Sequence, residues 1–204
     1  MESNFWIMSE YSANKKYQAL LLTAKDLFWK YGLKRVSIEE ICKEASVSKM
    51  TFYKFFPNKI ELARTILNNI MKESTRQFSD LIASSCTFEE KIHQMMLMKL
   101  QGTKDLSTEF LNDIYVDKAN GLQKDMTQHS AKSMQIFIEF LEDAKKDGFI
   151  RKEIKIEFVI HQLELMTKTA VDEKLLSLYD SPGELIMEGM NFLFYGLMPK
   201  NELE

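Results

Sequence analysis

The chain has 204 residues, of which 45% are apolar and 28% charged, a balance that supplies a packed core and excludes wholesale disorder. Only three prolines and seven glycines interrupt it, and this scarcity of helix breakers predicts an all-α fold. The net charge of −3 hides an asymmetry, because residues 1–64 carry eleven Lys and Arg against seven Asp and Glu, as expected of a basic module that contacts nucleic acid.

The sequence lacks the features of several other protein classes. Cys42 and Cys86 are too few for a disulfide framework, and no apolar run approaches the ~20 residues that span a bilayer. His93, His129 and His161 show no i, i+4 pairing of metal ligands, and the GxxxxGK, GxSxG, HExxH and CxxC motifs do not occur. We therefore expect a soluble, reduced, cytoplasmic protein without catalytic residues, metal or cofactor.

Four helices are predicted in the N-terminal part of the chain. The first ends at Gly32, which suits the position after a helix C-terminus. The second begins at Ser37 with Glu40 three residues on, which predicts a capping box. Ser48 caps the third, and Asn58 caps a long fourth helix. The predicted bounds are 14–31, 37–45, 49–55 and 58–83.

Amphipathic helices fill the remainder of the chain. Thr87 and Glu90 form a second capping box, and Gly148 followed by Phe149 is a helix stop signal. Pro182 suits the N-terminal edge of the last helix. The predicted bounds are 87–100, 107–117, 119–146, 157–179 and 183–197, so that the chain has about nine helices.

The second and third helices have the lengths and spacing of a helix-turn-helix, because only Ser46, Val47 and Ser48 join them. Val47 is expected to fill the corner between the two helices, and Cys42 lies where a small side chain is required. Phe52 and Phe56, four residues apart, are expected to point into the small core. Ile41 and Ala45 pack the second helix on the first.

The residues on the outward edge of the third helix are not needed in the core, so we expect them to contact DNA. Lysine and threonine donate to base edges and phosphates, Met50 can pack on a thymine methyl group, and Tyr53 carries a long hydroxyl. Lys59 in the first turn of the fourth helix opposes the helix dipole, which makes sense if a phosphate binds there. The predicted DNA-contact residues are Ser37, Ser48, Lys49, Met50, Thr51, Tyr53, Lys54 and Lys59.

This segment resembles the DNA-binding signature of the TetR family of bacterial repressors. The preceding Tyr31-Gly32 and the basic pair Lys34-Arg35 fit the same pattern, as do the later Gly148-Phe149-Ile150 and the helix that contains Met187-Glu188-Gly189-Met190. The signature covers roughly a quarter of the chain. The residues in register are Ser37, Ile41, Ala45, Val47, Ser48, Thr51, Phe52, Tyr53, Phe55, Phe56 and Lys59.

Three positions depart from the family pattern. Ser46 replaces the usual turn glycine, which predicts a serine at positive φ at some energetic cost. Met50 replaces a glycine or alanine and gives a bulkier element at the DNA surface. Phe55 stands where the family often has histidine or tyrosine, which removes one expected phosphate donor. The last two changes affect individual base contacts and leave the docking mode intact.

The resemblance implies a homodimeric repressor that a small-molecule effector releases from double-stranded operator DNA. The two recognition helices would enter successive major grooves, ~34 Å apart. Residues 1–60 would form the three-helix DNA-binding domain, with residues 1–13 as an arm, and residues 61–204 a larger effector-binding and dimerisation domain. The last two helices would build the dimer interface from Leu163, Met166, Ala170, Ile186, Met190, Leu193 and Leu197.

The many methionines and phenylalanines indicate a bulky hydrophobic effector, although each such residue is more often plain core. Glu109, Asp113 and Glu164 would be available if that effector were cationic. Two alternatives stay open: a helix-turn-helix regulator controlled by a protein partner, and a helical carrier that does not bind DNA. The predicted effector-contact residues are Met95, Met98, Phe110, Tyr115, Met134, Phe137 and Met166.

Overall fold

The computed structural model describes residues 14–117 and 120–198, without the side chains of residues 128–130, 132 and 167. The predicted arm over residues 1–13 lies outside the described residues. The described parts are helical and contain no strand, which confirms the all-α prediction. The helices are α1 Lys15–Tyr31, α2 Ile38–Glu44, α3 Lys49–Phe55, α4 Lys59–Ala83, α5 Phe88–Thr103, α6 Thr108–Tyr115, α7 Leu122–Lys146, α8 Ile156–Thr169, α9 Glu173–Leu176 and α10 Pro182–Leu197.

Polar side chains cap the N-termini of the helices as the sequence predicts. The hydroxyl of Ser37 accepts the backbone N–H of Glu40 (3.1 Å), and Asn58 Oδ1 accepts that of Glu61 (2.9 Å). At α5 the capping box is complete: Thr87 Oγ1 accepts the N–H of Glu90 (3.2 Å), and the Glu90 carboxylate accepts the N–H of Thr87 (2.8 Å). Each cap satisfies backbone donors that the helix itself leaves free.

Two helices end with the same backbone motif, although one of them lacks glycine. After α7, Gly148 lies at φ +85° and the N–H of Phe149 donates to Ala144 O (2.9 Å). After α2, Ser46 lies at φ +53° and the N–H of Val47 donates to Cys42 O (2.9 Å). Both are Schellman motifs. The predicted positive φ of Ser46 is therefore confirmed.

The helix predicted over residues 157–179 is wrong in its extent. α8 ends at Thr169, and the side chain of Asp172 then accepts the N–H of Leu175 (3.1 Å) to cap the short α9. A capping aspartate competes with continuation of the helix, because its carboxylate binds the backbone donors of a new first turn.

The buried apolar residues form two separate clusters. The first joins α1, α2 and α3 to the beginnings of α4 and α7 and to α6. The second lies at the far end of the protein, among α5, the end of α7, α8 and the end of α10. Among the described helices, only α4 and α7 have residues in both clusters, and they are the most extensively packed pair. No helix in the described part of the chain is long and apolar enough to cross a membrane.

Candidate nucleic-acid interface

The helix-turn-helix is held by side chains that are almost completely buried. Ile41 and Phe52 are inaccessible to solvent, and Val47 fills the corner between α2 and α3. Phe56 is buried at the end of α3 and stacks on Tyr17 of α1, with ring centroids 5.2 Å apart. The predicted inward orientation of these residues is confirmed. Because α3 is short, these contacts and its caps, more than its own length, hold it in place.

The opposite edge of α3 faces solvent. Met50 is 72% exposed and Tyr53 55% exposed, although both are large apolar or aromatic residues. Lys49 and Lys54 are also exposed, whereas Thr51 is half-buried and its hydroxyl lies 3.0 Å from that of Ser48. An exposed strip of methionine, tyrosine and lysine is chemically suited to base edges, thymine methyl groups and phosphates.

The two serines in the predicted contact set are the N-caps of the two helices. Ser37 accepts the N–H of Glu40, and Ser48 accepts the N–H of Thr51 (3.2 Å). Their hydroxyls therefore fix where α2 and α3 begin. That they also contact DNA stays a prediction.

Lys49, at the start of α3, forms an ion pair with Glu39 of α2. The hydrogen bond between them raises the pKa of Lys49 and lowers the pKa of Glu39. The pair is exposed, so a phosphate can compete with Glu39 for the ammonium group. Sequence reasoning missed Glu39, because the two residues lie on different helices ten positions apart.

Lys59 is turned toward the protein and braces the loop that joins α1 to α2. Its Nζ donates to Val36 O (2.6 Å) and to Lys34 O (3.3 Å). Burial lowers the pKa of Lys59, and the negative charge of Asp113 opposes that change. A phosphate contact by Lys59 stays a prediction, but the structure gives this side chain a bracing role that the sequence did not indicate.

A carboxylate from α6 also holds the α1–α2 loop. Asp113, only 6% exposed, accepts the backbone N–H of Lys34 at its Oδ2 (2.9 Å). The ammonium of Lys34 lies 3.8 Å from Asp113 Oδ1 and 3.2 Å from Asp117 Oδ2. Asp113 is therefore bound to the α1–α2 loop and is not available to a cationic effector. We call the contacts of α6 with α1 and this loop the junction.

Aromatic and backbone contacts complete the junction. The backbone N–H of Ser107, the N-cap of α6, donates to Trp29 O (2.9 Å), and the Trp29 ring lies 4.3 Å from that of Phe110. Phe110 is buried in the first cluster. Its predicted contact with an effector stays a prediction.

A second link joins α4 to the segment that begins α7. Arg64 Nε donates to Asp125 Oδ2 (2.6 Å), and its Nη2 donates to Asn120 O (3.3 Å). Arg64 also pairs with Glu61 one turn earlier. The side chain of Asn120 donates to Asp113 O (2.7 Å). The start of α7, α4 and the junction are thus connected by consecutive polar contacts.

The predicted effector residues do not share one environment. Met95 is buried in the second cluster, and Tyr115 packs against the first cluster, where burial raises its pKa. Met98, Met134 and Met166 are half-buried between the two clusters, and Phe137 packs at the edge of the second.

The predicted dimer residues differ in their exposure. Ala170 and Leu197 are buried within the protomer, and their place in a dimer interface stays a prediction. On the same two helices, α10 exposes Phe192 (83%) and Tyr195 (77%), and α8 exposes Phe158. The other predicted residues of this set are half-buried.

Comparison with known proteins agrees with this architecture. Residues 20–66 match the family described as bacterial regulatory proteins, tetR family. The chain is 26% identical to the uncharacterized HTH-type transcriptional regulator YhgD of Bacillus subtilis over 65% of this chain and 70% of that protein. It is 24% identical to the uncharacterized HTH-type transcriptional regulator YdgC of Bacillus subtilis over 89% of this chain and 92% of that protein. The crystal structure of regulatory protein TetR from Rhodobacter sphaeroides superposes with a TM-score of 0.70 at 13% identity, over 89% of this chain and 98% of that one.

Proposed function

We propose that this chain, whose residues 20–66 match the TetR family of bacterial regulatory proteins and which is similar to two HTH-type transcriptional regulators, is a DNA-binding transcription regulator of that family: a homodimeric repressor that a small molecule releases from its operator. The observation that carries the proposal is the solvent-exposed edge of α3. Met50 and Tyr53 are held outward by the buried Phe52. A helical carrier that does not bind DNA would have no use for two large exposed side chains at this position.

A DNA-binding experiment tests this face directly. Operator sequences are selected from a random DNA library with the full chain, and the affinity of the variant Met50→Ala/Tyr53→Ala is measured by fluorescence anisotropy. Each lost base contact costs about 1–3 kcal/mol, so the double variant should bind at least tenfold more weakly. Lys72→Ala, an exposed lysine in the middle of α4, is the matched control and should bind as the unmodified chain does.

The salt dependence of the affinity provides an independent check. Phosphate contacts release counterions, so the affinity should fall steeply and linearly on a logarithmic scale as salt rises. Equal affinity of the double variant and the unmodified chain, with circular dichroism showing the same helix content, would contradict the assignment of this face to DNA.

The exposed apolar face of α8 and α10 supports a dimer. Phe192 and Tyr195, three positions apart on α10, leave a patch that is unusual on a monomer surface. α8 and α10 pack on each other within the protomer, where Met166 fills the space beside Gly189. Two such pairs of helices would form a four-helix bundle across a twofold axis.

The dimer is tested by measuring mass in solution. Phe192→Asp/Tyr195→Asp should convert the dimer to a monomer in sedimentation velocity, because two carboxylates would be buried at the interface. Leu22→Asp, at another exposed apolar residue, on α1, should leave the dimer intact. A monomeric unmodified chain, or a dimeric double variant, would overturn this part of the proposal.

Release by an effector is proposed to act through α4 and α6. α4 begins beside α3, and α6 holds the α1–α2 loop through Asp113. A molecule that shifts these helices would change the separation of the two recognition helices in the dimer. Control by a protein partner would use the same two helices. Screening for small molecules that lower operator affinity of the purified protein distinguishes the two, since a partner-controlled regulator would not respond.

A further inference from the structure

The layer between the two buried clusters contains few fully buried residues. A helix packed in a core buries a residue every three or four positions. α4 buries Leu67 and then no further residue before it ends, and α10 buries none between Leu185 and Phe194. The described side chains of α7 show the same gap between Leu122 and Phe140. We call this mid-height region of the C-terminal domain the open layer.

The walls of the open layer are apolar with two hydroxyl groups. Half-buried methionines project from the helices that surround it, and Thr75 of α4 and Ser133 of α7 place their hydroxyls 2.7 Å apart. Methionine is flexible and adapts to ligands of irregular shape. The methionines are Met71, Met98, Met134, Met166 and Met187.

Lys99 occupies an inward position of α5 at this level. Met95 lies four residues before it and Thr103 four residues after it, so all three share one face of the helix. Met95 and Thr103 are both buried, and Thr103 lies against the start of α10, where a Cβ on Gly183 would be 3.1 Å from Thr103 O. Lys99, between them, is exposed. A side chain that points inward and is still accessible faces an open interior space.

Lys99 also has no counter-charge in the described part of the chain. No carboxylate there forms an ion pair or hydrogen bond with it. Burial among protein atoms lowers the pKa of the Lys99 ammonium, and no opposing charge offsets that effect. Protein atoms around an ammonium group disfavour its charged form even where water still reaches it, and no described carboxylate compensates for that effect here. An anionic ligand that binds beside Lys99 would supply the missing counter-charge.

We propose that the effector is an amphipathic acid whose apolar body fills the open layer and whose anionic head pairs with Lys99. This inference rests on the proposed effector-responsive function and gives the chemical class of that effector. The alternative of a cationic effector would require a carboxylate in the same layer, and Asp113, one of the three carboxylates considered for that role, is instead bound to the backbone of Lys34. The Thr75 hydroxyl donates to Met71 O (2.8 Å), whereas the Ser133 hydroxyl can turn from Thr75 to donate a hydrogen bond to a second oxygen of the head group.

The test uses matched probes that differ in the head group. Decanoate and 2-naphthoate are titrated into the full chain by calorimetry beside decanol, 2-naphthol and decyltrimethylammonium. A charge-assisted hydrogen bond is roughly twice as strong as a neutral one, so at least one acid should bind at least about tenfold more tightly than its neutral and cationic analogues. The bound acid should also release the selected operator in the anisotropy assay.

Variants of Lys99 separate a binding role from a structural one. Lys99→Met should lose about tenfold or more in acid affinity and should not melt at a lower temperature, because the charge that is removed pairs with no described carboxylate. Lys99→Arg should retain acid binding. Lys72→Met, the exposed lysine of α4, should change neither property. Operator affinity without any probe should be the same in all of these variants.

The possible results bear separately on the effector class and on the proposed function. No binding by either acid, equal binding by the neutral or cationic analogues, or full acid affinity in Lys99→Met would overturn the proposal that Lys99 recognises an anion. Loss of operator binding by the unmodified chain itself would instead remove the proposed function. Acid binding that is lost in Lys99→Met and retained in Lys99→Arg, together with release of the operator, supports both.

Discussion

Gly32 is the glycine whose replacement should damage the fold most, because two independent constraints meet there. Its backbone lies at φ +81° and ψ 160°, a region that side chains scarcely adopt. A Cβ at this position would also lie 2.9 Å from Asp113 Oδ2 and 2.9 Å from Glu109 Cβ. Both neighbours belong to α6, so the added methyl group would push α6 away from the α1–α2 loop.

The size of the effect follows from these two contributions. The backbone conformation costs about 1–3 kcal/mol, and forcing a methyl group into a packed site costs about 1–3 kcal/mol more. Gly32→Ala should therefore lower the free energy of unfolding by about 2–6 kcal/mol. For a protein of this size that corresponds to a fall in Tm of about 4 °C or more, measured by thermal unfolding followed by circular dichroism.

Two other glycines provide matched controls for the same substitution. Gly148 has a similar φ of +85° but nothing within 4 Å of its added Cβ, so Gly148→Ala should cost only the backbone strain, about 1–2 kcal/mol. Gly102 lies in the last turn of α5 with open space around it, and Gly102→Ala should stabilise by up to about 1 kcal/mol. A Gly32→Ala protein no less stable than Gly148→Ala would refute the claimed contact between α6 and the loop.

Three further substitutions follow from the geometry. Ser46→Gly should raise the free energy of unfolding by about 1 kcal/mol, seen as a higher urea midpoint, because glycine adopts the positive φ of the turn without strain; an unchanged midpoint would argue against strain at Ser46. Glu39→Gln should tighten operator binding several-fold at low salt by freeing Lys49 for phosphate, and the gain should shrink as salt rises; a weaker complex would show that the ion pair positions α3 for DNA. Asp113→Ala should lower the free energy of unfolding by about 2 kcal/mol, whereas Asp113→Asn, which keeps an acceptor for the N–H of Lys34, should lose less; equal losses would assign the effect to the charge alone.

The sequence predicted those features that depend on neighbours along the chain. Ser37, Ser48, Asn58 and Thr87 each cap the helix they were expected to cap, because a capping side chain acts on backbone groups two or three residues away. The turn at Ser46 was predictable for the same reason. The break after Thr169 also has a local signal, the capping aspartate Asp172. The sequence analysis missed it because the apolar pattern continues on both sides of the break.

Features that depend on distant residues were not predictable from one sequence. The contact between Asp113 and Lys34 joins residues 79 positions apart, and no local pattern relates them. Lys59 carries the charge expected of a phosphate contact. Its ammonium group instead donates to Val36 O in the α1–α2 loop, and the position of that loop could not be read from the sequence. On α10 nearly every residue is apolar, so periodicity could not separate Leu197, which is buried in the protomer, from Tyr195, which faces out.

In the proposed switch, communication between effector and DNA passes through helices that have residues in both clusters. α4 and α7 run from the first cluster through the open layer to the second, and Arg64 connects them near the helix-turn-helix. At that end, Asn120 and Asp113 connect α7 to the loop beside α2. A shift of α7 caused by a molecule in the open layer would therefore strain the Asp113–Lys34 contact first.

The Asp113–Lys34 hydrogen bond is strong enough to couple the proposed effector site to the DNA-binding surface. Allosteric coupling between two sites is typically about 1–3 kcal/mol, and one buried hydrogen bond to a charged group contributes about 1.5–3 kcal/mol. Loss of the Asp113–Lys34 hydrogen bond in one state is thus enough to change operator affinity by the amount a repressor needs. It follows that Asp113→Ala should reduce the difference in operator affinity between the effector-bound and free protein, and should do so even where its effect on affinity without effector is small.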